Sequence, residues 1–149
     1  MVIRYMDDDG SIKEVFEEVR KKYFKNLTAK IKFMFDTKKK SSSGKLVLAR
    51  CKLANEMLRY LTQDEIEEGY DYFIIVDKTA WDIAEEDDKI RLLRHELRHI
   101  YIDEKGNYKL APHDIEDFLI EIELNKDKPD WRNNLATMVD IVYDQNKND

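Results

Sequence analysis

The sequence predicts an α+β fold with an N-terminal helix, a small and mostly antiparallel sheet, a histidine-bearing helix and C-terminal helices. Three observations predict it. Helical and alternating apolar patterns follow one another in the order helix, strands, helix, short strand, helices. The four glycines and two prolines all fall between those patterned segments, where turns and caps require them. Apolar residues make up 42% of the 149 positions, enough for a core and in keeping with one domain over 1–149.

Ser11 followed by Glu14 has the spacing of a capping box. Ile12, Val15, Phe16, Val19 and Tyr23 then recur along one face of a helix that reaches about Lys25. Between 29 and 36 the pattern becomes an alternation, with Ala29, Ile31, Phe33 and Phe35 on one side and Lys30, Lys32 and Asp36 on the other, a half-buried strand. The Lys/Ser run ending at Gly44 reads as a hairpin connection to a second strand at 46–49. Residues 53–61 fit either a helix through Leu53, Met57, Leu58 and Leu61 or a continuing strand. Thr62 with Glu65 suggests a capped helical turn ending near Gly69. The run Tyr72-Phe73-Ile74-Ile75-Val76 is the clearest strand.

A helix is expected from about 87 to 102, with Ile90, Leu93, Leu97, Ile100 and Tyr101 toward the core. A short extended piece at 107–110 leads to Pro112. Two helices close the chain, one marked by Ile115, Phe118, Leu119 and Ile122. The other is marked by Trp131, Leu135, Met138 and Val142, with Asp127 and Pro129 at its start. Trp81 and Trp131 are expected to pack the core.

Charge and cysteine usage narrow the function classes. With 26 Lys plus Arg against 32 Asp plus Glu, the net charge is −6, which argues against nucleic acid or anionic lipid as a general partner. Asp7-Asp8-Asp9 interrupts the start of the chain without an apolar leader, and no apolar run is long enough to span a membrane. The single cysteine, Cys51, can form neither an internal disulfide nor a four-cysteine zinc site, and reads as a small buried hydrophobe. A cytoplasmic location is the expectation. Lys38 to Lys40 reads as a solvated basic loop.

All three histidines, His95, His99 and His113, fall within one 19-residue window. His95-Glu96-Leu97-Arg98-His99 matches the pattern His-Glu-x-x-His inside a predicted helix. A spacing of four puts both imidazoles on one face, one turn apart, where they can hold a single Zn²⁺. Glu96 projects about 100° around the helix from His95, placed to act as general base toward an attacking water. A catalytic zinc site needs three protein ligands, and His113, after the turn at Gly106 and Pro112, is the favoured third. Glu116 and Asp117 are carboxylate substitutes for it. Asp114, Glu116 and Asp117 are equally candidates to accept from a ligating ring's other nitrogen, or simply first-turn acids of the next helix. Tyr101, Tyr108 and Tyr72 are candidate phenol donors to a tetrahedral intermediate, or core and rim aromatics. Arg94 and Arg98, one turn apart, read as solvated or salt-bridged. The strand at 72–77 is expected to border the cleft and to take a substrate as an added strand.

The segment from Tyr72 to Phe118 resembles the putative phage metallopeptidase family, a small zincin group. The resemblance rests on the strand 71–77, Trp81, the His-Glu-Leu-Arg-His run, the turn at 103–108 and Pro112-His113-Asp114-Ile115-Glu116-Asp117-Phe118. It implies a minimal zincin-like domain, with His95, His99 and His113 as zinc ligands, Glu96 as general base and a peptide or protein as substrate. A more distant likeness is to the SprT/Spartan-type zincins, which often carry a cysteine-rich zinc ribbon or a DNA-binding tail. Here Cys51 stands alone and the chain is acidic, so their role on DNA–protein crosslinks is not expected. The alternative is a catalytically silent, zinc-stabilised protein-binding domain of a phage or mobile element, which would not need Glu96. A hydrolase of non-peptide amides would share the whole site.

Overall fold

The computed structural model describes residues 3–112 and 117–147. A mixed α+β architecture is observed, in the order β1 (Tyr5–Asp7), α1 (Ser11–Tyr23), β2 (Ile31–Asp36), β3 (Ser41–Ser42), β4 (Lys45–Leu46), β5 (Ala49–Leu53) and α2 (Glu56–Leu61). There follow β6 (Tyr72–Asp77), α3 (Lys78–Ile83), α4 (Glu86–Leu97), β7 (Ile100–Ile102), β8 (Tyr108–Leu110), α5 (Leu119–Leu124) and α6 (Trp131–Lys147). The main sheet has the order β1-β2-β6-β5. It is antiparallel at β1/β2 and β5/β6 and parallel at β2/β6, where Phe33 stands opposite Ile74. The short pairs β3/β4 and β7/β8 are separate ribbons.

The position of β6 explains its composition. Every residue of β6 is buried, as expected for a central strand covered on both faces, and this is why it reads as an unbroken apolar run. Its Ile74 and Val76 face a helical layer. Val15 and Val19 of α1, Trp81 of α3, Leu93 of α4 and Leu135 of α6 share the same core. The apolar periodicity of α1 is borne out by burial of Ile12, Val15, Phe16 and Val19. Both tryptophans are buried.

Several sequence expectations are corrected. Strand β6 is flanked by β2 and β5 and offers no edge for a substrate; the edge strands are β1 and β5. The cap of α1 is not the Ser11 box. Gly10 is the N-cap residue, the Asp8 carboxylate accepts from the Ile12 and Lys13 amides at 3.0 Å, and Ser11 accepts from the Trp81 indole at 3.1 Å. Asp36, expected on the solvent side, is buried because Arg4 clamps it bidentately at 2.9 and 2.8 Å. Residues 53–61 divide between the two readings, with β5 ending at Leu53 and α2 starting at Glu56 behind an Asn55 cap. The histidine helix ends at Leu97, and Ile100 to Ile102 form a strand. Met138 is exposed, and Val139 takes the core position. Strand β1 and helix α3 carry too few periodic residues to announce themselves. No helix among the described residues is long and apolar enough to cross a membrane.

The turns at Ser43–Gly44, Gly69 and Gly106 use a left-handed backbone. The β3/β4 ribbon turns through Ser43 and Gly44, both at positive φ, the geometry of a type I′ hairpin. Gly69 has φ +76°, and a Cβ there would lie 2.1 Å from the Arg59 carbonyl oxygen. Gly106, at φ +82°, has open space around the same position. Gly106→Ala is therefore expected to cost about 1–2 kcal/mol from the left-handed conformation alone. Gly69→Ala carries the same penalty plus a backbone clash and should cost clearly more, as read by urea denaturation of the two variants side by side.

Candidate active site

Helix α4 carries Glu86, Asp87 and Asp88 in its first turn and Arg94 and His95 in its last, complementing the helix dipole at both ends. His95 and Glu96 lie in that last turn, and Arg98 is the C-cap. His99 follows in a tightened turn, its amide donating to the Glu96 carbonyl at 3.1 Å. The i, i+4 spacing still brings the two imidazoles together, with ring centroids 5.4 Å apart.

Each ring is oriented through Nδ1. His95 Nδ1 is 2.7 Å from the Asp117 carboxylate, and His99 Nδ1 is 2.7 Å from the Ala111 carbonyl oxygen. A carbonyl only accepts, and a carboxylate does so when ionised, so both Nδ1 atoms carry the proton. In the neutral ring, Nε2 then holds the lone pair. That is the donor chemistry a zinc ion takes from histidine, and the residues present fit it. Phe118 packs against both rings, with centroids at 5.4 Å from His95 and 5.0 Å from His99.

The carboxylates divide by environment. Burial pushes the Glu96 carboxyl up to about 7, with the Arg132 charge opposing and Asp117 adding to the rise. Burial works the same way on Asp117. There, however, the bonds from His95 and the Phe118 amide, with the charge of Arg132, hold the group below the ordinary carboxylate value. Glu96, His95 and His99 open into a cleft of about 710 Å³. Its other walls are the β3/β4 ribbon, the edge strand β5 through Ala49, Arg50 and Cys51, and the first turns of α6 from Arg132. Burial pushes the Cys51 thiol up, so the cysteine in that wall is a neutral thiol.

The structure does not bring every candidate to the cleft. Asp117 engages His95 and the Phe118 amide, and no group of three metal-ligating side chains is found among the described residues. His113, Asp114 and Glu116 lie outside the described residues. Tyr101 and Tyr108 sit on β7 and β8, away from the cleft lining. Tyr72 is a structural strut: its hydroxyl lies 2.7 Å from the Lys109 carbonyl and its ring meets Tyr108 edge-on.

Other residues supporting the site gave weaker sequence signals. Glu121 is fully buried and accepts from Arg94 Nε and Arg98 Nε, each at 3.0 Å. Arg94 also donates to Asn125. The signal for Glu121 was the Arg94/Arg98 pair itself, since two guanidiniums on one half-buried helix face demand an acid opposite. The Ala111 carbonyl and the Arg132 wall have no such signal, because a main-chain oxygen carries no residue type and a lone Arg on a helix is ordinary.

A mixed α+β protein with His-Glu-x-x-His lining an open cleft is the class these features define. The sequence model of the family described as "Putative phage metallopeptidase" matches residues 3–143, and the chain belongs to that family. No curated protein and no solved structure matches the chain.

Glu121→Ala would strand the buried Arg94 and the half-buried Arg98 guanidiniums and is expected to cost about 3–5 kcal/mol of folding stability. Glu123→Ala, which removes only the exposed pair with Lys126, should stay within about 0.5 kcal/mol in the same urea titration.

Proposed function

We propose that the chain is a zinc-dependent metallopeptidase, a single zincin-like catalytic domain over 1–149 that hydrolyses peptide bonds. His95, His99 and His113 hold the zinc, and Glu96 is the general base. The observation that carries this reading is the pair of imidazoles turned by Nδ1 acceptors toward one cleft that also receives Glu96. A zinc ion bound there supplies Lewis-acid polarisation of a peptide carbonyl and activation of water.

The chain's own residues do the rest. Asp117 and the Ala111 carbonyl fix which nitrogen of each ring faces the cleft. The buried Glu96 carboxylate takes a proton from the attacking water at one of its oxygens and delivers it to the departing amine. The edge strand β5 offers unpaired main-chain groups on the cleft side, so an extended peptide can lie along it. A protein or peptide substrate fits such an edge, and a cytoplasmic setting fits the lone thiol of Cys51.

The silent zinc-stabilised domain is the rival, and the burial of Glu96 at the cleft favours the enzyme over it. A purely structural site gains nothing from desolvating a carboxyl there. Glu96→Gln is expected to lower peptide-library cleavage by about 10²–10⁴-fold while leaving one zinc per chain. His95→Ala and His99→Ala should each abolish stoichiometric zinc. Cleavage surviving Glu96→Gln would overturn the base assignment, and protein that retains no stoichiometric zinc after incubation with the metal would overturn the site. Asp117→Asn is expected to weaken zinc affinity about 10–100-fold, measured by competition with a chromogenic chelator, because His95 loses its charged acceptor.

A further inference from the structure

We propose that the cleft selects acidic substrates, with Arg132 at the start of α6 receiving a substrate carboxylate near the scissile bond. This rests on the peptidase reading above. The cleft is lined by three cations, Lys45, Arg50 and Arg132, against two carboxylates, Glu96 and Asp140, in a chain whose net charge is −6. The local balance is thus the reverse of the global one.

Most of those charges are already engaged. Arg50 lies 3.7 Å from the Asp36 carboxylate and donates to the Tyr5 hydroxyl at 3.0 Å. Asp140 is paired with Lys39 at 2.7 Å. Glu96 has its role as base. Lys45 and Arg132 are left as cleft cations without an ion pair among the described residues. Lys45 stands exposed on the ribbon, whereas Arg132 is half-buried, its guanidinium carbon 6.0 Å from the centre of the Trp131 ring. The Arg132 charge reaches both Glu96 and Asp117, which puts it on the histidine side of the cleft.

A guanidinium stays charged at every accessible pH, and its planar fork matches a carboxylate through two parallel hydrogen bonds. Half-buried and without a direct salt bridge among the described residues, the Arg132 fork can be filled by a substrate carboxylate, whereas a neutral side chain offers it no charge. A substrate Lys or Arg meets repulsion from the same group, so the site both attracts one class and rejects the other. The neighbouring α6 lining residues Asn133, Ala136 and Thr137 are uncharged and Asp140 is answered by Lys39, so Arg132 is the charge on that wall without a salt-bridge partner among the described residues.

The test uses the zinc-loaded chain and two fluorescein-labelled decapeptides, one alternating Ala with Glu and the other alternating Ala with Gln. Binding is read by anisotropy in the Glu96→Gln background, where turnover does not interfere. The Glu peptide is expected to bind about tenfold tighter than the Gln peptide. Adding Arg132→Gln should erase most of that ratio, while Lys21→Gln, which removes the same charge from the exposed face of α1, should leave it. Cleavage is then compared with Glu96 restored, where Arg132→Glu should shift the preference toward an Ala/Lys decapeptide. Equal affinity for the Glu and Gln peptides overturns the proposal without any variant having to fold. So does a ratio that survives Arg132→Gln, or one that Lys21→Gln removes equally. Acidic preference in binding with no cleavage of any peptide would sink the peptidase reading and keep the Arg132 site. Cleavage with no acidic preference would do the reverse.

Discussion

The arrangement of the site depends on one buried carboxylate. Glu121 has no solvent exposure and is shared by Arg94 and Arg98, which in turn lie over the rings of Tyr23 and Phe24 at 4.8 and 4.4 Å. An unpaired carboxylate at that depth would cost several kcal/mol, so α5 can dock only in the register that puts Glu121 between the two guanidiniums. That register fixes what precedes it. Phe118, three residues earlier, reaches both imidazoles, and Asp117, four residues earlier, reaches His95 Nδ1. The end of α1, the end of α4 and the start of α5 are thus locked by one polar network, and the cleft face of α4 inherits its geometry.

The opposite wall is set by the sheet. Asp36 and Asp77 end the parallel pair β2/β6 side by side, and each is answered differently. Arg4 neutralises Asp36, while Asp77 caps α3 through the Ala80 amide at 2.8 Å and accepts from the Tyr143 hydroxyl at 2.6 Å. Tyr143 lies on α6, so this bond ties the far part of that helix to the sheet. The buried Trp131, Leu135 and Val139 hold its first turns against the core. Arg132 therefore projects from a helix anchored at both ends, beside a ribbon whose base is joined to the same helix by the Lys39–Asp140 pair.

What the sequence revealed follows the strength of the local signal. His95, Glu96 and His99 were legible because their chemistry needs a fixed spacing that a helical turn supplies, and the spacing outlived the helix ending at Leu97. Helix α1 and strand β6 were legible because burial writes itself as period 3.6 or as an unbroken apolar run. Asp36 misled because alternation predicts which way a side chain points but not whether a distant Arg4 waits there. The Ser11 box misled for a similar reason. Asp8, three residues upstream, reached the first amides, and Ser11 was drawn off to Asp9 and the Trp81 indole. For Glu121 the Arg94/Arg98 pair announces only that an acid is needed, and which acid answers, 23 and 27 residues away, is decided by the fold. His113, Asp114 and Glu116 fall outside the described residues, so the third ligand rests on the sequence alone.

The two imidazoles are not equivalent, and the difference is built into their acceptors. His95 donates its Nδ1–H to a carboxylate that its own surroundings keep ionised, so the ring gains electron density as that bond polarises. His99 donates its Nδ1–H to a neutral main-chain carbonyl, and the Ala111 amide returns a bond of 2.6 Å to the His99 carbonyl. The first ring is thereby held by a side chain that substitution can change. The second is the more rigid, fixed by a two-way main-chain link that no single side-chain replacement removes. A site built this way has its electronic adjustment in the Asp117–His95 pair and its geometric reference in the His99–Ala111 link.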